Sequence, residues 1–357
     1  MTARAWAATR KGLFELKRSP AGWEIAAVHF LGEPVSMLLP PRGDDRLLAA
    51  LNLGHFGVKL HASDDAGAHW REVPVPVYPE QPADATGPAW KLQQIWSLEQ
   101  GVDGTLWAGT LPGGLFRCHE VGGPWTLVTS LWNRPERAEW FGGGYDVPGI
   151  HSLCPHPQRP GELLVGVSCG GCWLTEDGGQ TWALRADGMR AAYMPPELAE
   201  QPNTQDPHRV VRCASAPDRL WTQHHNGIWR SDDNAGRWQE VEAPVSSFGF
   251  AVAVHPQEPD TAWFVPAQKD ERRVPVKAEL VVNRTRDGGR SFETLRTGLP
   301  QHHAYDLVYR HGLAVAPDGD ILLMGSTTGG LWVSEDQGDC WSLVSLNLPP
   351  IHAVAFG

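Results

Sequence analysis

The chain has 357 residues, with 30 Lys plus Arg against 41 Asp plus Glu and a formal net charge of -11. Composition, 41% hydrophobic and 20% charged, excludes whole-chain disorder, coiled coil and collagen, and the acidic balance argues against nucleic acid and anionic membranes as partners. No apolar run reaches the roughly 18–20 residues of a membrane span, nor does the N-terminus hold the apolar centre of a signal peptide, so a cytoplasmic chain with its six cysteines as free thiols is expected.

Seventeen Trp, 39 Gly and 30 Pro are the mixture of many short strands, tight turns and large flat anchors. Taken in chain order, Arg4-Ala-Trp-Ala-Ala-Thr matches the second strand of a repeating unit, and Gly12-Leu-Phe-Glu leads to Trp23. Next comes the segment Ser63-Asp-Asp-Ala-Gly-Ala-His-Trp70. Its pattern, Ser or Thr with Asp two on and an aromatic seven on, returns at Thr175–Trp182, Ser231–Trp238, Thr285–Phe292 and Ser334–Trp341; Gly114-Leu-Phe-Arg before Trp125 is a weaker copy. The aromatic anchors 23, 70, 125, 182, 238, 292 and 341 stand 47 to 57 residues apart. Around each, strands recur in one order, for instance from Ile150, Glu162, Gly171 and Thr181. Four strands per unit make a propeller blade. The last segment, Ile351-His-Ala-Val-Ala-Phe, matches a first strand, so it is expected to complete the N-terminal blade and close the ring.

The repeated segment resembles the Asp-box, or BNR repeat, of sialidases and related β-propellers, and the resemblance spans the chain. It implies an all-β fold, a single seven-bladed β-propeller over residues 1–357. Its Asp residues (65, 177, 233, 287 and 336) are expected to accept backbone N–H bonds in hairpin turns, with glycine supplying positive φ. Sialidase activity itself is not carried over. The Arg-Ile-Pro motif expected before the first box is missing, with only Arg10 and Lys11 in that loop, and sialidases have six blades where this sequence has seven units.

Propeller geometry puts the box turns on one face and the loops between blades on the other. On that second face lie three long connections, 74–93, 129–149 and 186–208, and an insertion at 267–278, and long loops on a rigid ring carry function. Histidines gather there too: His55, His151, His208, His224, His225, His302, His303 and His352. Lys91, Asp206, Lys269, Asp270, Arg272 and Trp140 join them. His151, His224, His225 and His303 are the expected ligands of a divalent transition metal, which takes imidazole nitrogen. Asp146, Asp306, Tyr305 and Arg310 are the candidate catalytic groups, and His55, Trp96, His208, Asn226, Arg273, His302 and His352 the candidate ligand-binding groups. Phosphate-loop and dinucleotide fingerprints are absent, so no nucleotide cofactor is expected.

Cys169-Gly-Gly-Cys172 is expected to be a hairpin turn, since no second pair and no following helix accompany it. His156-Pro157 and His255-Pro256 occupy equivalent turns on the box face and are expected to serve those turns. The functional expectation is a small molecule or glycan bound in a His-rich pocket at the channel mouth, with metal-dependent or hydrolytic chemistry. The alternatives are a non-catalytic scaffold with a protein partner, as the photosystem assembly factors with Asp-boxes are, and a glycosidase needing two carboxylates roughly 5–10 Å apart. For the last, Glu139, Asp146, Asp206, Asp270 and Asp306 are the candidates.

Overall fold

The computed structural model describes residues 4–85 and 87–357; Thr86, within the first long loop, lies outside them. Its strands form seven four-stranded antiparallel sheets. Six are consecutive runs of the chain, beginning at the inner strands Val35–Leu39, Gln94–Gln100, Ile150–Pro155, Pro207–Arg212, Gly249–Val254 and Leu313–Val315. The remaining sheet combines the two ends of the chain: Ile351–Phe356 pairs with Arg4–Thr9, Ala7 opposite Val354. This terminal strand sits between the inner strands of blades seven and two, so the ring is sealed as the phase of the repeats predicts.

The five repeated segments fold identically. In each, the Ser or Thr hydroxyl donates to the Asp carboxylate and accepts a backbone N–H four residues on. Thr175 is representative, with its Oγ1 2.9 Å from Asp177 Oδ1 and 2.8 Å from Gly179 N. The Asp then accepts the N–H four residues further along, Thr181 N to Asp177 Oδ1 at 2.9 Å. The Thr181 hydroxyl, then its N–H, stabilise the charged form and pull the Asp177 carboxyl down to about 2. The turn takes positive φ at Gly179 (85°). The following aromatics, Trp182, Trp238 and Trp341, are buried between sheets.

Towards the axis neighbouring sheets converge, and the space between them narrows. Gly109, in a second strand, meets the inner strand of the next blade: a Cβ there would stand 2.4 Å from Ile150 O and 2.4 Å from Ser97 Oγ. Gly109→Ala therefore should lower unfolding free energy by about 1–3 kcal/mol through overpacking, read from denaturant melts; an unchanged midpoint would show that the wedge can relax.

Candidate ligand-binding site

The inner strands do not run regularly into the mouth. Near the loop-face end, pairing with the second strand skips Ser36, Trp96, His151, His208 and His352, and in blade six Phe250 with Ala251. A bulge of this kind bends the strand and turns the extra side chain out of the regular alternation. Ser36, Trp96, His208, Phe250 and His352 consequently line a cavity of about 530 Å³ on the axis. His311 occupies the corresponding place in blade seven, just before Gly312, whose carbonyl accepts the N–H of Gly325.

His311 also ties the ring across its centre. Its Nε2 donates to His151 O at 2.9 Å, while Val354 N donates to His311 O. His311 lines both the loop-face cavity and a second cavity on the box face. Burial first, then Arg209, with Arg310 adding, hold its imidazole well below the ordinary histidine range, the bond to His151 O acting the other way.

Two of the long connections and the 267–278 insertion build the wall on the side of blades three to six. The 129–149 loop contains a short α-helix, Thr129–Trp132, then a 3-10 turn, Pro135–Glu139, and ends in the glycine run whose Gly143, Gly144 and Tyr145 line the cavity. A Cβ on Gly143 would lie 2.8 Å from Asp206 Oδ2, so this loop passes directly over that carboxylate. Asp206 closes the 186–208 loop and is buried (1% exposed). Its Oδ2 faces His208 Nε2 at 3.3 Å and His225 Nδ1 at 3.5 Å, and its Oδ1 faces His151 Nε2 at 3.9 Å. Burial alone would raise this carboxyl, but His208, then His225 and His151, outweigh it and hold the group well below the carboxylate range. The insertion at 267–278 brings in Asp270, which pairs with Arg273 at 2.9 Å.

Arg310 stands apart. It is 8% exposed, and its guanidinium lies over Trp96 at 5.2 Å and over Phe250 at 5.4 Å. No carboxylate approaches it within 4 Å among the described residues, and its Nε has no hydrogen-bond partner. Arg10 and Arg273 line the same cavity, with Gln94, Asn52 and Tyr309; no Asp or Glu does so among the described residues.

The structure brings together Trp96, His208, Arg273, Arg310 and His352 at the cavity, with His151 buried beneath Trp96, ring centroids 5.0 Å apart, and His225 beside Asp206. It does not bring in the others. His224 is turned into the backbone: Asp206 N lies 3.0 Å from its Nε2 and Asn226 N 3.0 Å from its Nδ1, so neither nitrogen is left for a metal. His302, His303, Tyr305, Asp146 and His55 are exposed on loops, and none of them lines the cavity. Asp306 accepts from Ser326 Oγ at 2.7 Å and from Thr328 Oγ1, fastening a blade-seven loop. Asn226 Oδ1 accepts from Ala192 N at 2.7 Å, fastening another.

The box-face histidines behave as turn elements. His156 Nδ1 accepts from Gln158 N and Arg159 N, and His255 Nδ1 from Gln257 N and Glu258 N. Cys169 and Cys172 are both buried free thiols, each raised by burial, flanking a glycine turn. Sequence reasoning missed Arg10, Gln94, Phe250, Tyr309 and His311; the second position of an inner strand, shared with His151, His208 and His352, was the signal for Phe250.

No family model matches this sequence, and no curated protein does. Solved structures do. The GH74 xyloglucanase from Xanthomonas campestris superposes with TM-score 0.66 at 20% identity, over 95% of this chain and 51% of that one. The GH74 enzyme of Niastella koreensis gives 0.63 at 16%, over 97% and 52%. YCF48 from Cyanidioschyzon merolae gives 0.56 at 12%, over 89% and 87%. The likeness shows the fold. This chain spans about half the length of the two GH74 proteins.

His311 yields a test of the channel's interior. A histidine kept neutral in the fold leaves the unfolded chain to take up the proton, so its contribution is complete above about pH 6.5 and is lost as pH falls below it, by up to ~1.4 kcal/mol per pH unit. Urea melts from pH 7.5 to 5 should show a shallower decline for His311→Gln than for the parent chain; equal slopes would mean that His311 is readily protonated in place.

Proposed function

We propose that this Asp-box propeller binds a small anionic molecule, bearing a carboxylate or phosphate, at the loop-face mouth of its channel. The observation that carries the reading is Arg310. A guanidinium withdrawn from water without an ion-pair partner within 4 Å is costly; here its carbon lies over the Trp96 ring at 5.2 Å and the Phe250 ring at 5.4 Å, and its Nε lacks a partner. Arginine presents a fork of N–H donors that matches a planar or tetrahedral anion. Arg10 adds positive charge to a wall that no carboxylate lines among the described residues, Arg273 being paired with Asp270 behind it, in a protein that is acidic overall. The volume, about 530 Å³, suits a small ligand.

Binding is favoured over glycoside cleavage by the same residues. Glycosidases flank the bond with two carboxylates. Of the candidates, Glu139 is engaged by Asn203 at 2.9 Å, Asp270 by Arg273 and Asp306 by Ser326 and Thr328, while Asp146 is exposed. A scaffold role does not call for convergent polar groups in a recess.

Calorimetric titration with citrate, with inorganic phosphate and with a neutral xyloglucan oligosaccharide separates these readings. At least one anion should bind, and Arg310→Gln should weaken it by ~10- to 100-fold, the loss expected for charge-assisted hydrogen bonds. Preference for the neutral sugar, or unchanged anion binding in the variant, would overturn the proposal.

A further inference from the structure

The contact between Asp206 and His208 is unusual in its hydrogen-bond bookkeeping. His208 Nδ1 lies 2.7 Å from Gly249 O. A carbonyl only accepts, so Nδ1 carries the hydrogen, and in the neutral ring Nε2 is left as a lone pair. That lone pair points at Asp206 Oδ2, 3.3 Å away, an oxygen that in the carboxylate also only accepts. His225 Nδ1 approaches the same oxygen at 3.5 Å. Three electron-pair donors thus surround one point in a buried setting, and Asp206 Oδ2 has no hydrogen-bond partner there.

We propose that Asp206, His208 and His225 form a binding site for a divalent transition metal, zinc by preference, at the edge of the loop-face cavity. The donor atoms lie within 4.8 Å of one another. Bonds of about 2.0–2.1 Å in tetrahedral geometry place neighbouring donors roughly 3.3–3.4 Å apart, close to the two distances observed. Two imidazoles and one carboxylate are a set zinc accepts, and three protein ligands leave a fourth position open. The surroundings are those of a metal site: Gly249 O fixes the tautomer and orientation of His208, and Cys169 N–H, at 3.4 Å, steadies Asp206 Oδ1. His208 itself lines the cavity, so the open position faces the space that Arg310 also borders. Of the four histidines that the sequence nominated for a metal, His225 alone supplies a donor.

The proposal does not rest on anion binding, because metal uptake is measured with the metal alone. Untagged protein stripped with chelator and dialysed should take up one equivalent of Zn²⁺ in competition with a chromogenic chelator, and Co²⁺ in its place should give the intense visible absorption of a four-coordinate site. His225→Ala and Asp206→Asn should each weaken Zn²⁺ by ~100-fold or more, while His303→Ala, on an exposed loop, leaves it unchanged. His225 is only partly buried, so that variant remains informative if Asp206→Asn fails to fold, and thermal melts report on both. Uptake below a tenth of an equivalent would overturn the proposal and leave a shared proton as the link between His208 and Asp206. Full uptake by folded His225→Ala would overturn it equally.

Discussion

Sheets that converge on an axis leave a narrowing space between them, and that wedge governs this protein. Where Gly109 meets Ile150, even a methyl group is excluded. Beyond the bulges the regularly paired inner strands line a second cavity, on the box face, with side chains such as Met37, Val252, Leu313 and Val354. The bulge near the loop-face end of the inner strands releases one residue from the pleat and aims it inwards, so residues distant in sequence, Ser36 to His352, reach one opening. The rest of the site follows from that local irregularity.

Charge at this opening is arranged in two layers. In the upper layer Arg310 lies over the Trp96 and Phe250 rings, with Arg10 and the Arg273–Asp270 pair nearby. The lower layer places Asp206 among the imidazoles of His151, His208 and His225, beneath the glycine run at 142–144. Asp206 favours the charged form of Arg310 without touching it, and so does not satisfy it. Opposite charges buried near one opening without meeting are the feature on which the binding proposal rests.

The architecture was legible because turns impose strict chemistry. A hydroxyl at one position, a carboxylate two on and an aromatic seven on form a closed set of bonds around each corner, and the phase of five such sets fixes blade number, strand order and the role of the terminal strand. The equivalent His-Pro turns could be set aside on the same logic, and Nδ1 does accept two backbone N–H groups in each. The mouth was legible in part. His151, His208 and His352 share the second position of an inner strand, which suggested convergence. Sequence did not distinguish His225, which faces Asp206, from its neighbour His224, whose two nitrogens meet backbone N–H groups; that difference comes from how one hairpin seats itself under the 186–208 loop. Nor did it reveal that Asp306, four residues from Arg310, is spent on Ser326 and Thr328.

The cross-tie from His311 to His151 makes the torus a vessel with a floor. Blade seven is joined to blade four through the hollow itself, and the space on the axis is parted into two chambers with separate entrances. For the ligand proposed above, the way into the upper chamber is bordered by Gly143, Gly144 and Tyr145. On that reading, entry and exit would be set by this rim of loops and not by the bore of the ring.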